Sequence, residues 1–157
     1  MPDGSPQRSE RRGGQGNEAI EQAALRYLAR KDRTETQLHL FLQGRGVSSV
    51  QARSVVGRLR RLGYLNDEAY SRRWAADRVL KRPMGRSRLE AELLAQGFAS
   101  ALVDQVLNEI YGRRSERAWA EALLQAKGQR KNGLARQVQL LRMHGFSEET
   151  IEEVLRY

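Results

Sequence analysis

The chain has 157 residues, 39% of them hydrophobic, with no cysteine and a formal charge of +9 from 28 Lys and Arg against 19 Asp and Glu. The lack of cysteine excludes disulfides and thiolate metal sites, and no apolar run is long enough for a secretion signal or a membrane span. A soluble, cytoplasmic protein with enough chain to bury a real core is the expectation.

Residues 1–16 are rich in Pro, Gly, Ser, Arg and Gln with almost nothing apolar, and read as a disordered tail. Glu18 to Lys31 then spaces Ile20, Ala24, Tyr27 and Leu28 as a helix that buries one stripe. Thr34 with Gln37 makes a capping box for a second helix, where Leu38 and Leu42 share a face before Gly46 stops it. Ser48 is placed to cap a third helix carrying Ala52, Val55, Val56 and Leu59. Asn66 can cap a fourth, Asp67 to Lys81, with Tyr70, Trp74 and Val79 inward. Pro83 and Gly85 mark a connection. Leu89, Leu93 and Gly97 then repeat the glycine-stopped pattern, with Ser100 as the cap before Val103, Val106, Leu107 and Ile110. Gly112 or Gly133 marks a further break around Ser115 to Lys127, which carries Trp119, Leu123 and Ala126. The last copy is Leu141, Gly145, Phe146 and Ser147, followed by Ile151, Val154 and Leu155.

The three stop glycines lie 51 and 48 residues apart, and at +9 and +10 from each stand Val55-Val56, Val106-Leu107 and Val154-Leu155. Recurrence of helix, glycine, apolar residue and serine in one register predicts an all-α fold of about nine helices in three tandem three-helix repeats. Their spans are 18–65, 66–111 and 112–157, in an elongated array. Arrays of this kind work along a surface more than in a pocket.

Charge is uneven along the array. Residues 18–65 hold nine basic against four acidic groups, 66–111 balance at seven each, and 112–157 hold nine against six. Arg53, Arg58, Arg60 and Arg61 load the third helix, and Arg72, Arg73, Arg78, Lys81, Arg82, Arg86 and Arg88 follow across the second unit. Such a stripe neutralises phosphates and points to nucleic acid, single-stranded or duplex, bound through counterion release. Chemistry is harder to find. His39 and His144 lie among apolar neighbours with no partner at metal-ligand spacing, and Gly13-Gly14-Gln15-Gly16 follows no strand and lacks a phosphate-binding lysine. Glu90 and Glu92, two apart on a helix, face different ways. The reading is a protein that binds, with no catalytic residues, metal or cofactor.

The run Gly63-Tyr64-Leu65-Asn66-Asp67-Glu68-Ala69-Tyr70 resembles the signature G-Y-L/I-D/N-D-x-x-F/Y of the RecX family, bacterial modulators of the RecA recombinase. A second family pattern appears as Gly85, Arg88-Leu89, Glu92-Leu93 and Gln96-Gly97, and a third, less regular, as Arg30 to Leu38. The resemblance extends over residues 18–157. Two departures stand out. Pro83 precedes Gly85 where the family often has proline after the glycine, and Asn66 replaces the commoner Asp, keeping the cap and losing a charge. The resemblance implies tandem three-helix repeats in an elongated, curved monomer lying in the groove of the RecA–DNA filament. There it would contact both RecA and DNA and suppress ATP hydrolysis, coprotease activity and strand exchange in recombination and DNA repair.

Residue chemistry assigns Gly63, Tyr64, Leu65, Asn66, Asp67 and Tyr70 to structure. Tyr64 and Leu65 would close the joint between the first two units, Asn66 would cap and Asp67 would favour the helix start. Partner contact is then expected from the exposed basic residues. The alternative reading is a trihelical DNA-binding transcription regulator, for which the first unit's Ser48-Ser49-Val50-Gln51 is the one plausible recognition-helix start. A pure protein-interaction scaffold is a third, and would show no salt-sensitive DNA affinity.

Overall fold

A computed structural model describes residues 8–126 and 128–156, with side chains from residue 16 onward. Its described residues form nine α-helices and one short 3-10 turn. These are α1 (Arg8–Arg30), α2 (Glu35–Gly44), α3 (Ser49–Arg61), α4 (Asp67–Lys81), α5 (Arg86–Gln96), α6 (Ser100–Arg113), α7 (Glu116–Ala126), α8 (Leu134–Met143) and α9 (Glu148–Leu155), with the turn at Gln129–Lys131. No helix among the described residues is long and apolar enough to cross a membrane. The first helix begins at Arg8, so residues 8–16, expected in the tail, belong to it; residues 1–7 fall outside the described residues.

The glycine stops are built as the spacing predicts. Gly46, Gly97 and Gly145 all take positive φ, at 84°, 95° and 80°. After each, the next N–H reaches back five residues: Val47 to Leu42, Phe98 to Leu93 and Phe146 to Leu141. That is the closing bond of a Schellman motif, which satisfies a helix's last carbonyls. Gly63, φ 85°, ends α3 in the same way through Tyr64 N–H to Leu59.

The caps divide. Thr34 and Gln37 make the full capping box, and the hydroxyls of Ser48 and Ser147 accept from Gln51 and Thr150 N–H. In the middle copy the cap position, two residues past the glycine, is Ala99, and Ser100 is already the first helical residue; no side chain caps α6. The expected cap at Ser100 is therefore absent, because Ala99 inserts one residue before the serine. Of the two candidate breaks the structure uses Gly133, which directly precedes α8; Gly112 lies inside α6, where Ile110 and Tyr111 still pack on the core.

Contacts separate the chain into two compact units, residues 1–67 and 68–157. In the first, α1, α2 and α3 enclose Ala24, Leu38, Leu42, Ala52, Leu59 and Leu65. In the second, the remaining six helices share one core running from Val79 and Met84 through Leu93 and Leu107 to Trp119, Leu123 and Ile151. The second and third helix triplets thus bury their apolar faces in common. Tyr70 and Trp74 stand at this core's edge, with Tyr70 meeting Phe98 edge-on at 5.3 Å.

Candidate functional site: a basic helical surface

In the first unit the predicted cations lie on α3. Arg58 pairs with Glu21 of α1 and Arg60 with Glu35 of α2, each at 3.2 Å, so both tie helices together. Arg53 is exposed and, among the described residues, reaches only the Ser49 hydroxyl, at 3.4 Å. It lines, with His39, Leu40 and Arg60, a groove of about 460 Å³ between α2 and α3. His39 is half-buried on this groove. Arg61 is exposed and forms no ion pair with any described residue.

Most of the predicted cations in the second unit are engaged. Arg72 donates twice to Glu109 of α6, at 2.9 and 3.1 Å, and Arg78 twice to Glu92 of α5, at 2.8 and 3.2 Å. These forked bonds hold the Glu109 and Glu92 carboxyls below the usual glutamate range and raise both guanidiniums. Arg88 joins Glu92 at 3.4 Å and also donates to the Met143 carbonyl at 2.8 Å. Lys81 pairs with Asp77 and Arg86 donates to Asn108. Arg73 and Arg82 are exposed, and Arg82 has no ion pair among the described residues. The eleven predicted cations therefore fall into two sets, one in each compact unit, and most of them serve internal bonds.

A carboxylate that sequence reasoning passed over organises the second unit. Glu116, the first residue of α7, accepts from the Arg86 N–H at the start of α5 (2.9 Å) and from the hydroxyls of Ser147 (2.8 Å) and Thr150 at the start of α9. Burial alone would raise its carboxyl, but the bonds from Thr150, Arg86 and Ser147 together hold it below the ordinary value. One anion serves helix starts whose dipoles favour negative charge. Beside it the Gly85 N–H donates to the His144 carbonyl at 2.8 Å, and a Cβ on Gly85 would lie 2.0 Å from the Gly145 oxygen. Both contacts join residues tens of positions apart, which local spacing does not register.

The signature run is divided. Leu65 is buried in the first core and Tyr70 packs on the second. Tyr64 is 58% exposed, and its backbone N–H makes the closing bond of the turn after α3. Asn66 immediately precedes α4. Asp67, the helix's first residue, accepts from Glu35 N–H at 3.1 Å, and burial raises its carboxyl although that bond and Arg60 lower it.

Among the described residues no group of three or more His, Asp or Glu could hold a metal ion. Three-helix units with arginines displayed on an ion-paired frame define an all-α helical-repeat protein. Residues 22–59 match the family model for the first three-helix domain of RecX, and residues 66–107 that for the second. The regulatory protein RecX of Thermus thermophilus is 36% identical over 124 residues, covering 72% of this chain and 84% of that protein. That of Streptomyces coelicolor is 31% identical over 130 residues, covering 81% and 69%. The crystal structure of RecX from Lactobacillus salivarius superposes with a TM-score of 0.76 at 18% identity, over 91% of this chain and 96% of that one. A second RecX crystal structure gives 0.81 at 17% identity, over 100% and 81%; at these identities the two structures speak for the fold. The chain belongs to the RecX family, whose members are non-enzymatic regulatory proteins.

Proposed function

We propose that this protein regulates a RecA recombinase by binding in the groove of the RecA–DNA filament, where it suppresses ATP hydrolysis and strand exchange. It acts as a cytoplasmic monomer, needs no cofactor, and contacts DNA without reading its sequence. The carrying observation is one of position: the two matched three-helix domains, 22–59 and 66–107, hold all the predicted basic contact residues except Arg60 and Arg61. Within that set Arg53, Arg61, Arg73 and Arg82 are exposed and belong to the proposed partner surface; Arg58, Arg60 and Lys81 are exposed as well but ion-paired, and Arg72, Arg78, Arg86 and Arg88 are bonded across helices in the frame that presents it. Inhibition then needs no chemistry. Several modest contacts on linked units add up to avidity along a polymer, and occupancy biases the filament toward an inactive state.

The test is the DNA-dependent ATPase of the cognate recombinase, titrated with this protein. Inhibition below one protein per recombinase subunit is expected. Unchanged ATPase, with tight and selective binding to one duplex sequence, would replace this reading with that of a transcription regulator.

A further inference from the structure

Four arginines outside the predicted stripe gather around two stacked rings in the first unit. Tyr27 of α1 and Phe41 of α2 lie parallel, centroids 4.0 Å apart and planes within 2°. The Arg33 guanidinium sits over Tyr27 at 4.3 Å and that of Arg45 over Phe41 at 5.5 Å. Rings this close leave no room for a cation between them, so the guanidiniums cover the outer faces and the order is Arg–Tyr–Phe–Arg. Beside the column is a cavity of about 130 Å³ lined by Ala23, Arg26, Tyr27, Arg30, Phe41 and Arg45, with no carboxylate among them. Residues 23, 26, 27 and 30 are one stripe of α1, so both lining arginines of this helix face the same way as its ring. None of the four arginines forms an ion pair with a described residue, and the Arg33 Nε is buried with no hydrogen-bond partner.

Helix ends explain part of this: Arg30 closes α1 and Arg45 follows the last turn of α2, where cations suit the dipole. That does not explain Arg26, nor the unpartnered nitrogen of Arg33. Like charges held together by aromatic faces, with no acid in the lining, repel until an anion arrives.

We infer that this arginine–aromatic column is a binding site for the phosphodiester backbone of DNA. The cavity suits a phosphate, and guanidinium forks from two helices match its oxygens. Base stacking is not the mode, because both outer ring faces are already covered by arginine. The rings instead act as positioning residues, holding Arg33 and Arg45 at fixed places. The inference deepens the proposed function by naming a DNA contact on the first unit, and it rests on that reading only for the presence of DNA.

The test uses the full chain without recombinase, with fluorescent oligo-dT and a duplex of mixed sequence as probes, and fluorescence anisotropy across a salt series. Each phosphate contact contributes about 0.7 to the logarithmic salt slope on single strands and about 0.9 on duplex. Joint Arg26→Gln, Arg30→Gln and Arg45→Gln should therefore lower the slope by about 2 on oligo-dT or by about 3 on duplex, and the probe that responds identifies the strand form held. The matching lysine triple should keep the slope and bind more weakly. Circular dichroism of both triples establishes that each is folded; were the glutamine triple to unfold, the three single glutamine variants, each expected to lose a third of the effect, decide. Unchanged slopes on both probes in folded variants overturn the column. So does loss of recombinase binding with DNA slopes intact, which would assign the column to an acidic protein surface. The ATPase titration is scored separately, so either idea can fail while the other stands.

Discussion

The two compact units share a plan of three-helix turns closed by Schellman glycines, yet they use charge in opposite ways. In the second unit, arginines and acids are matched across helices: Arg72 with Glu109, Arg78 and Arg88 with Glu92, and Glu116 with the starts of α5 and α9. Among the described residues the first unit ion-pairs only Arg58 and Arg60 and leaves the arginines around Tyr27 and Phe41 without acids. One repeat pattern thus supports two allocations, charge consumed to lock helices or charge left without an acid beside it. The repeat glycines show the same split. Gly46 has open space where a side chain would stand, whereas a Cβ on Gly145 would lie 2.3 Å from that of Arg88.

That glycine contrast gives the largest expected effect. In Gly85→Ala the new methyl would fall 2.0 Å from the Gly145 oxygen and 2.5 Å from the Phe146 nitrogen, all backbone, so the 2.8 Å bond from Gly85 N–H to His144 must break. Overpacking and the lost bond together should cost about 3 kcal/mol or more. Gly46→Ala pays only for a left-handed backbone, about 1 kcal/mol. Both tryptophans, Trp74 and Trp119, belong to the second unit, so denaturant melts followed by tryptophan fluorescence should collapse for Gly85→Ala and barely move for Gly46→Ala. Equal losses in the two variants would show that the second unit's backbone contact is slack.

Acid should separate the units next. Glu92 and Glu116 are held below their ordinary value of 4.5, Glu92 by the bond from Arg78 and Glu116 by bonds that overcome its burial. Their contribution is complete above that value and is lost as pH falls through each depressed folded value. Asp67 runs the other way: burial raises its carboxyl above 3.8, so its contribution is complete below that value and is lost as pH rises through the folded one. Acid therefore loosens the second unit while relieving one strain in the first. Glu116→Ala takes the acceptor from the Arg86 N–H and the Thr150 hydroxyl, while Ser147 keeps its bond to Thr150, and should cost about 2 kcal/mol at neutral pH. It should also flatten the acid limb of the tryptophan-detected stability curve; an unaltered limb would mean that Glu116 is not the responsible carboxyl.

Local features were legible in the sequence because their causes are local. The Thr34–Gln37 box, the limits of α4 at Asp67 and Lys81, and the three glycine stops each depend on residues within a turn or two. The helix register could be read as far as Val55, Val56, Val106, Leu107 and Val154, all buried. Charge could not be read this way. Arg72 and Glu109 are 37 positions apart and Arg78 and Glu92 are 14, so a run of arginines looks solvated until the helices are packed. The converse error concerns the column, whose Arg26, Arg30 and Arg45 are sparse along the chain and gather only when α2 folds onto α1. Gly85 and Gly145 likewise acquire their constraint from a contact between distant turns.

The missing middle cap provides the finest test of the repeat itself. Counted from the stop glycines, the cap position holds Ser48, Ala99 and Ser147, and only the alanine leaves its helix uncapped by a side chain. The backbone at Ala99, φ −63° and ψ 141°, is close to that of Ser48 at −64° and 155°, so a serine there needs no rearrangement to present its hydroxyl. Ala99 is exposed, which gives an added hydroxyl access to water as well as to the helix start. Ala99→Ser should therefore stabilise the second unit by about 0.5–1 kcal/mol, while Ser48→Ala should destabilise the first by about 1 kcal/mol. Thermal melts of the two single variants would reveal the opposite signs, circular dichroism for Ser48→Ala and tryptophan fluorescence for Ala99→Ser. A neutral or destabilising Ala99→Ser would mean that the middle turn, although superposable in dihedral angles, does not aim its cap position at the helix as the outer two do, and the likeness of the three copies would then stop at the glycine.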